Sequence, residues 1–234
     1  MKKIGIQLSF FLAAVSVFAQ VQAGGVNAED LGADTAQQSL QEVSISKFED
    51  PGMWRVSMPL DQGLISHRRF PGGPADRRPL EAEEEAGIVE DDQYVLGVKA
   101  EFYRRGNTTL SIQANRPLVV PGIAKTISVW VVGRNFNHRL SVVVADHFGN
   151  RAVIPMGTLN FSGWRELSAA VPTHIVQRNV HYNDLMGIQI LGFVINPALE
   201  ESYGSYYVYF DDLRVITDLF AEESRDPDDM VDSW

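Results

Sequence analysis

The 234-residue chain has no cysteine, few basic residues for its acids, and no long uninterrupted apolar run. Without cysteine there is no disulfide framework, no thiolate metal site and no cysteine nucleophile. Twenty Lys and Arg against thirty Asp and Glu give a formal charge of −10, which would repel a phosphate backbone, so nucleic-acid binding is not expected. Beyond the N-terminus nothing approaches the roughly 20 apolar residues of a membrane-spanning helix. Enzyme signatures are missing too: no G-x-S-x-G elbow, no H-E-x-x-H, no phosphate loop and no G-x-G-x-x-G. The five histidines, His67, His138, His147, His174 and His181, are scattered, and none has the i, i+4 spacing of a helical metal pair. A glycosidase would need two opposed carboxylates across a cleft, and no spaced acidic motif provides them. The expectation is a protein that is not an enzyme.

What is present is enough for a core, with 45% hydrophobic and 10% aromatic residues, so the chain is not a disordered one. Lys2 and Lys3 precede a largely apolar stretch from Ile4 to Phe18, followed by small residues at Ala19 and Ala23. This reads as a signal peptide over 1–23, cut after Ala19 or Ala23, and predicts export to a periplasm. Its loss would leave a charge of −12, with 14 of the 30 acids gathered in two segments, Glu81 to Asp92 and Asp218 to Trp234. The remainder is nearly neutral.

Residues 24–42 read as a polar extension with a short helix near Thr35 to Glu42. A first strand is expected at Val43 to Glu49, and the Pro-, Gly- and Arg-rich stretch 61–93 reads as a long loop. From Tyr94 the period becomes two. Tyr94, Leu96, Val98, Ala100 and Phe102 share one face, and similar alternation recurs around residues 110–113, 126–131, 140–144, 151–155, 164–171, 187–195 and 205–216. Asp146-His147 reads as a turn-forming pair at a hairpin. Many short alternating strands predict an all-β fold over 43–217, a jelly-roll-like antiparallel β-sandwich resembling carbohydrate-binding modules. An acidic tail, 218–234, would follow it.

Four groups of residues hint at sites. Asp211 and Asp212 close a Tyr-Tyr-Val-Tyr-Phe strand, and Glu49 closes the first one. If the first and last strands are neighbours, Glu49, Asp211 and Asp212 could hold a structural Ca²⁺ through oxygen ligands, unless they are merely solvated strand ends. Trp130, Tyr207 and Tyr209 fall on strand faces opposite the apolar ones. They are either covered by loops or bind something, and planar rings on a polar face suit sugar stacking or a protein partner. Met230 and Trp234, in an otherwise acidic tail, have the character of an anchor. The pairs Arg68-Arg69, Arg77-Arg78 and Arg104-Arg105 either bind the acidic tail of a neighbour or pair within the chain.

Several stretches in order resemble a known family, the flagellar filament outer-layer (sheath) proteins of spirochaetes. They are Val131-Val132-Gly133-Arg134-Asn135-Phe136-Asn137-His138, Gly157-Thr158-Leu159-Asn160-Phe161-Ser162-Gly163-Trp164 and Gly204-Ser205-Tyr206-Tyr207-Val208-Tyr209-Phe210-Asp211-Asp212-Leu213, with Asp228-Asp229-Met230 and Trp234 in the tail. The resemblance implies an exported structural protein of the periplasmic flagellum. It would coat flagellin core subunits, touch other sheath proteins and further copies of itself, and influence filament shape or stiffness and hence motility. A secreted glycan-recognising module is the competing expectation, and the two coincide if the sheath recognises glycans on the core.

Overall fold

The computed structural model describes residues 39–87, 92–178 and 187–219. The expected signal peptide, residues 24–38, and the tail with Met230 and Trp234 lie outside the described residues, as does His181. Among the described residues, eleven strands form two antiparallel sheets. One has the order β3 (Gly63–Pro71), β4 (Tyr94–Phe102), β11 (Gly204–Asp218), β6 (Ile123–Arg134) and β9 (Ser162–Ala170), with β1 (Leu40–Ser46) also paired to β11. The other has the order β2 (Trp54–Ser57), β5 (Leu110–Val119), β10 (Gln189–Asn196), β7 (Arg139–Ala145) and β8 (Arg151–Thr158). The chain repeatedly crosses from one sheet to the other, and the result is an antiparallel β-sandwich.

Alternation does the folding here. Every second residue of β4, β6 and β11 turns inward, so Leu96, Val98, Ile127, Val129, Val131, Tyr206, Val208 and Phe210 are all buried. They meet Ile112, Leu140, Val142 and Phe193 from the other sheet, as expected when two sheets each bury one face. Each fully buried large side chain stabilises by about 1.5–3 kcal/mol. An aromatic spine closes one end of the core: Phe48 stacks on Trp54 at 4.7 Å and Phe193 on Phe210 at 5.3 Å between ring centroids. Phe48 enters from the end of β1 by adopting a left-handed backbone, φ 57°.

Three expectations need correction. Leu40, Gln41 and Glu42 are the start of β1, hydrogen-bonded along the far end of β11, and not part of a helix. The stretch 61–93 is not simply a loop. It opens with β3, nine residues paired to β4 throughout, and includes the helix α1 (Glu81–Ala86). Asp211 and Asp212 do not end their strand, since β11 runs on to Asp218 through a bulge where Asp212 takes φ 49°. The first and last strands are indeed neighbours. The Asp146 turn forms as read, with Asp146 Oδ1 accepting from the backbone N–H groups of Phe148 and Asn150.

Candidate functional site

The outward face of the six-stranded sheet is divided in two along β11. Beside Asp211 and Arg214 it is covered by the segment from Gly72 to Gly87. Leu80 of that segment is buried, the Arg78 carbonyl accepts from the Arg214 guanidinium, and Lys47 pairs with Glu83 at 2.8 Å. Beside Tyr207 and Tyr209 the described residues leave the face open.

Register assembles the open half. Ser66, Lys99 and Tyr207 lie in one row across β3, β4 and β11, and Arg68, Gly97 and Tyr209 in the next. Side chains of one strand parity share a face, so these rows, Phe70 and Arg134 make a single surface. It contains a cavity of about 440 Å³ lined by both tyrosines, Phe70, Arg68, Lys99 and Gly97 among others. Phe70 meets Tyr209 edge-on, with centroids 5.4 Å apart. Gly97 permits this, because a Cβ there would collide with the Phe70 ring and lie 2.9 Å from Tyr209. Cations then flank the rings: Arg68 sits 4.5 Å from the Phe70 centroid, Lys99 5.7 Å from Tyr207, and Arg134 5.8 and 5.6 Å from Tyr207 and Tyr209. Such contacts leave the ring edges and the charges available to a partner. Lys99 pairs with Glu101, a hydrogen bond that pushes the ammonium pKa up and keeps it charged. Trp130 occupies the same face farther across, half-buried, in register with Asp211 and Glu166. Of the aromatics singled out from sequence, the structure thus joins Tyr207 and Tyr209 in one open site.

The covered half holds a buried ion network. Arg77 Nη1 donates to Asp211 Oδ2 at 2.7 Å and to Asp92 Oδ1 at 2.6 Å. Arg214 Nη2 lies 2.6 Å from Asp212 Oδ2, and its Nη1 donates to Glu42 Oε2 at 3.2 Å. Burial pushes the Asp211 carboxyl up to about 7, against the opposing pull of the Arg77 guanidinium. Glu49 is engaged elsewhere, its Oε1 accepting from the backbone N–H groups of Gln93 and Tyr94. The residues read as a Ca²⁺ set are therefore turned to arginines and backbone amides. Among the described residues no group of three or more His, Asp or Glu is arranged to hold a metal.

The arginine pairs separate in the same way. Arg68 belongs to the open face, whereas Arg69 lies over the Tyr94 ring at 4.1 Å and donates to the Glu49 carbonyl. Arg77 is committed inside the chain, Arg78 contributes its carbonyl, Arg104 pairs with Asp61, and Arg105 covers Tyr203. Phe70, Lys99 and Arg134 are site residues that the sequence reading missed. A glycine inside a strong strand, Gly97, was the one signal of close approach over the sheet.

Comparison with known proteins gives this face its context. Residues 19–225 match the family described as flagellar filament outer layer protein, FlaA. The chain belongs to that family. It is 36% identical over 208 residues to a Brachyspira hyodysenteriae protein named flagellar filament outer layer-like, covering 89% of this chain and 93% of that protein. It is 31% identical over 119 residues to the flagellar filament outer layer protein of Spirochaeta aurantia, covering 46% of this chain but 35% of that longer relative. Among solved structures it is similar in outline to carbohydrate-binding modules of the β-sandwich superfamily (12% identity, TM-score 0.48, 76% of this chain and 62% of that one). A family 11 module from Clostridium thermocellum is similar too (13% identity, TM-score 0.42, 76% and 96% covered).

Proposed function

We propose that the protein is a non-catalytic structural subunit of the outer layer of the periplasmic flagellar filament. It reaches the periplasm through its signal peptide, covers the flagellin core, contacts other sheath proteins and contributes to filament shape or stiffness, and so to motility. The observation that carries this reading is family membership across residues 19–225. The aromatic and cationic face that the described loops leave uncovered supports it, because a coat subunit needs an exposed contact surface. Immunogold labelling of isolated periplasmic flagella should mark the filament along its length, and a deletion strain should show altered filament shape and swimming. Label confined to the cell envelope and absent from the filament would refute the proposal.

A second reading rests on one feature of the same face. Tyr207, 37% exposed, and Tyr209 present their rings in a cavity edged by Arg68 and Lys99, a combination suited to stacking and hydrogen-bonding a sugar. In this reading the sheath subunit recognises glycans on the core. Retention on a glycan array that disappears in Tyr207→Ala would support it, and no retention by the parent protein would dismiss it.

A further inference from the structure

We infer that the open face binds the acidic segment 220–234 of a second copy, linking subunits head to tail. Three observations lead there. First, the face is positive and aromatic: Arg68, Lys99 and Arg134 surround Phe70, Tyr207 and Tyr209. Lys99 is balanced by Glu101, but neither Arg68 nor Arg134 forms an ion pair among the described residues. Second, the segment has the complementary chemistry, with six acids, the single base Arg225, and Met230 and Trp234 as apolar groups for the cavity. A Trp beside carboxylates, meeting tyrosines beside guanidiniums, is the pairing that makes interface hot spots.

Third, the segment leaves the wrong end of its own strand. Tyr207 and Asp218 are eleven residues apart on β11, roughly 36 Å at the rise of a strand. The fifteen residues of 220–234 extend roughly 50 Å at most. A return within one molecule would have to double back along β11 over the half of the sheet already covered by the segment from Gly72 to Gly87, beside a groove lined by Glu42, Glu49, Asp50 and Glu83 with Lys47 as its one base. A second copy presents its positive half with no such passage. The contact joins different surfaces of the two copies, so a row grows where the second copy passes its own tail on to a third instead of returning it to the first. The inference deepens the outer-layer reading but is tested on purified protein, so it can fail separately from filament binding.

The test uses the full secreted chain in sedimentation-velocity experiments at low salt. The parent protein should form a concentration-dependent open series, weakened by salt. A face variant (Lys99→Gln with Arg134→Gln) and a tail variant (Asp226→Asn, Asp228→Asn and Asp229→Asn) should each associate at least about tenfold more weakly. Mixed in equal amounts they should form a one-to-one dimer and nothing longer, because each pair retains one working face and one working tail. Near-UV circular dichroism checks folding, and Arg134→Gln alone replaces the face variant if the double substitution unfolds the protein. A parent protein monomeric to ~100 µM, a weak limit for a specific contact, would overturn the inference. So would variants that associate like the parent, or a mixture that stays monomeric.

Discussion

His138 and Asp211 are both sealed from solvent, yet protons at the two sites act on stability in opposite directions. Burial holds the His138 imidazole down to about 4, against the pull of the Glu201 carboxylate, and its Nδ1 accepts from the Ala198 N–H. Its folded pKa lies below the unfolded value of 6.5, so its contribution is present above about pH 6.5 and is lost as the pH falls toward 4. Asp211 is the reverse case. Its folded value near 7 lies above the unfolded 3.8, so its contribution is present below about pH 4 and is lost as the pH rises through 7. Each limb has a slope of at most about 1.4 kcal/mol per pH unit, and they oppose each other between about pH 4 and 6.5. The melting temperature of the parent protein should vary little over that range. Asp211→Asn should leave stability rising with pH, and His138→Asn, which keeps an acceptor for Ala198, should leave it falling. Parallel pH profiles for all three proteins would contradict the argument. A related substitution, Arg77→Met, removes the pull that opposes burial, so the folded state should hold the Asp211 carboxyl protonated to higher pH and lose stability at pH 8, where the unfolded chain releases that proton. Adding Asp211→Leu should recover most of that loss in urea unfolding.

At the scale of elements, β4 through β11 were legible because their apolar residues alternate with polar ones. β3 was not, for a physical reason. As an edge strand whose outward residues include Ser66, Arg68 and Phe70, it shows charge and proline where a central strand shows valine. β2 is four residues long, too short for alternation to register. The buried role of Asp211 was invisible because its partner Arg77 lies 134 residues away in sequence; locally the Asp-Asp pair looks like a solvated strand end. The tyrosine face was legible through parity alone, whereas its cations come from β3, β4 and β6 and only pairing brings them together. β10 carries a comparable hidden constraint. At its bulge Gly192 has φ 138°, and an added Cβ would strike the Ile112 carbonyl of β5. Backbone against backbone has no side chain to yield, so Gly192→Ala should lower stability by at least about 2 kcal/mol. An unchanged urea midpoint would show that β10 can shift there.

For the whole molecule, the formal charge of −10 is unevenly laid out. One half of the six-stranded sheet carries the acids of the Glu42 groove, and the other carries the uncovered cations beside the tyrosines. Between them runs β11, fifteen residues long and bonded on both sides, to β4 and β1 along one edge and to β6 along the other. A pull applied at Asp218 along the strand cannot unzip these ladders one bond at a time. It loads them in parallel, in shear, so that many hydrogen bonds must yield together. Any tension that such a subunit takes up from a turning filament would enter through the strand best placed to resist it.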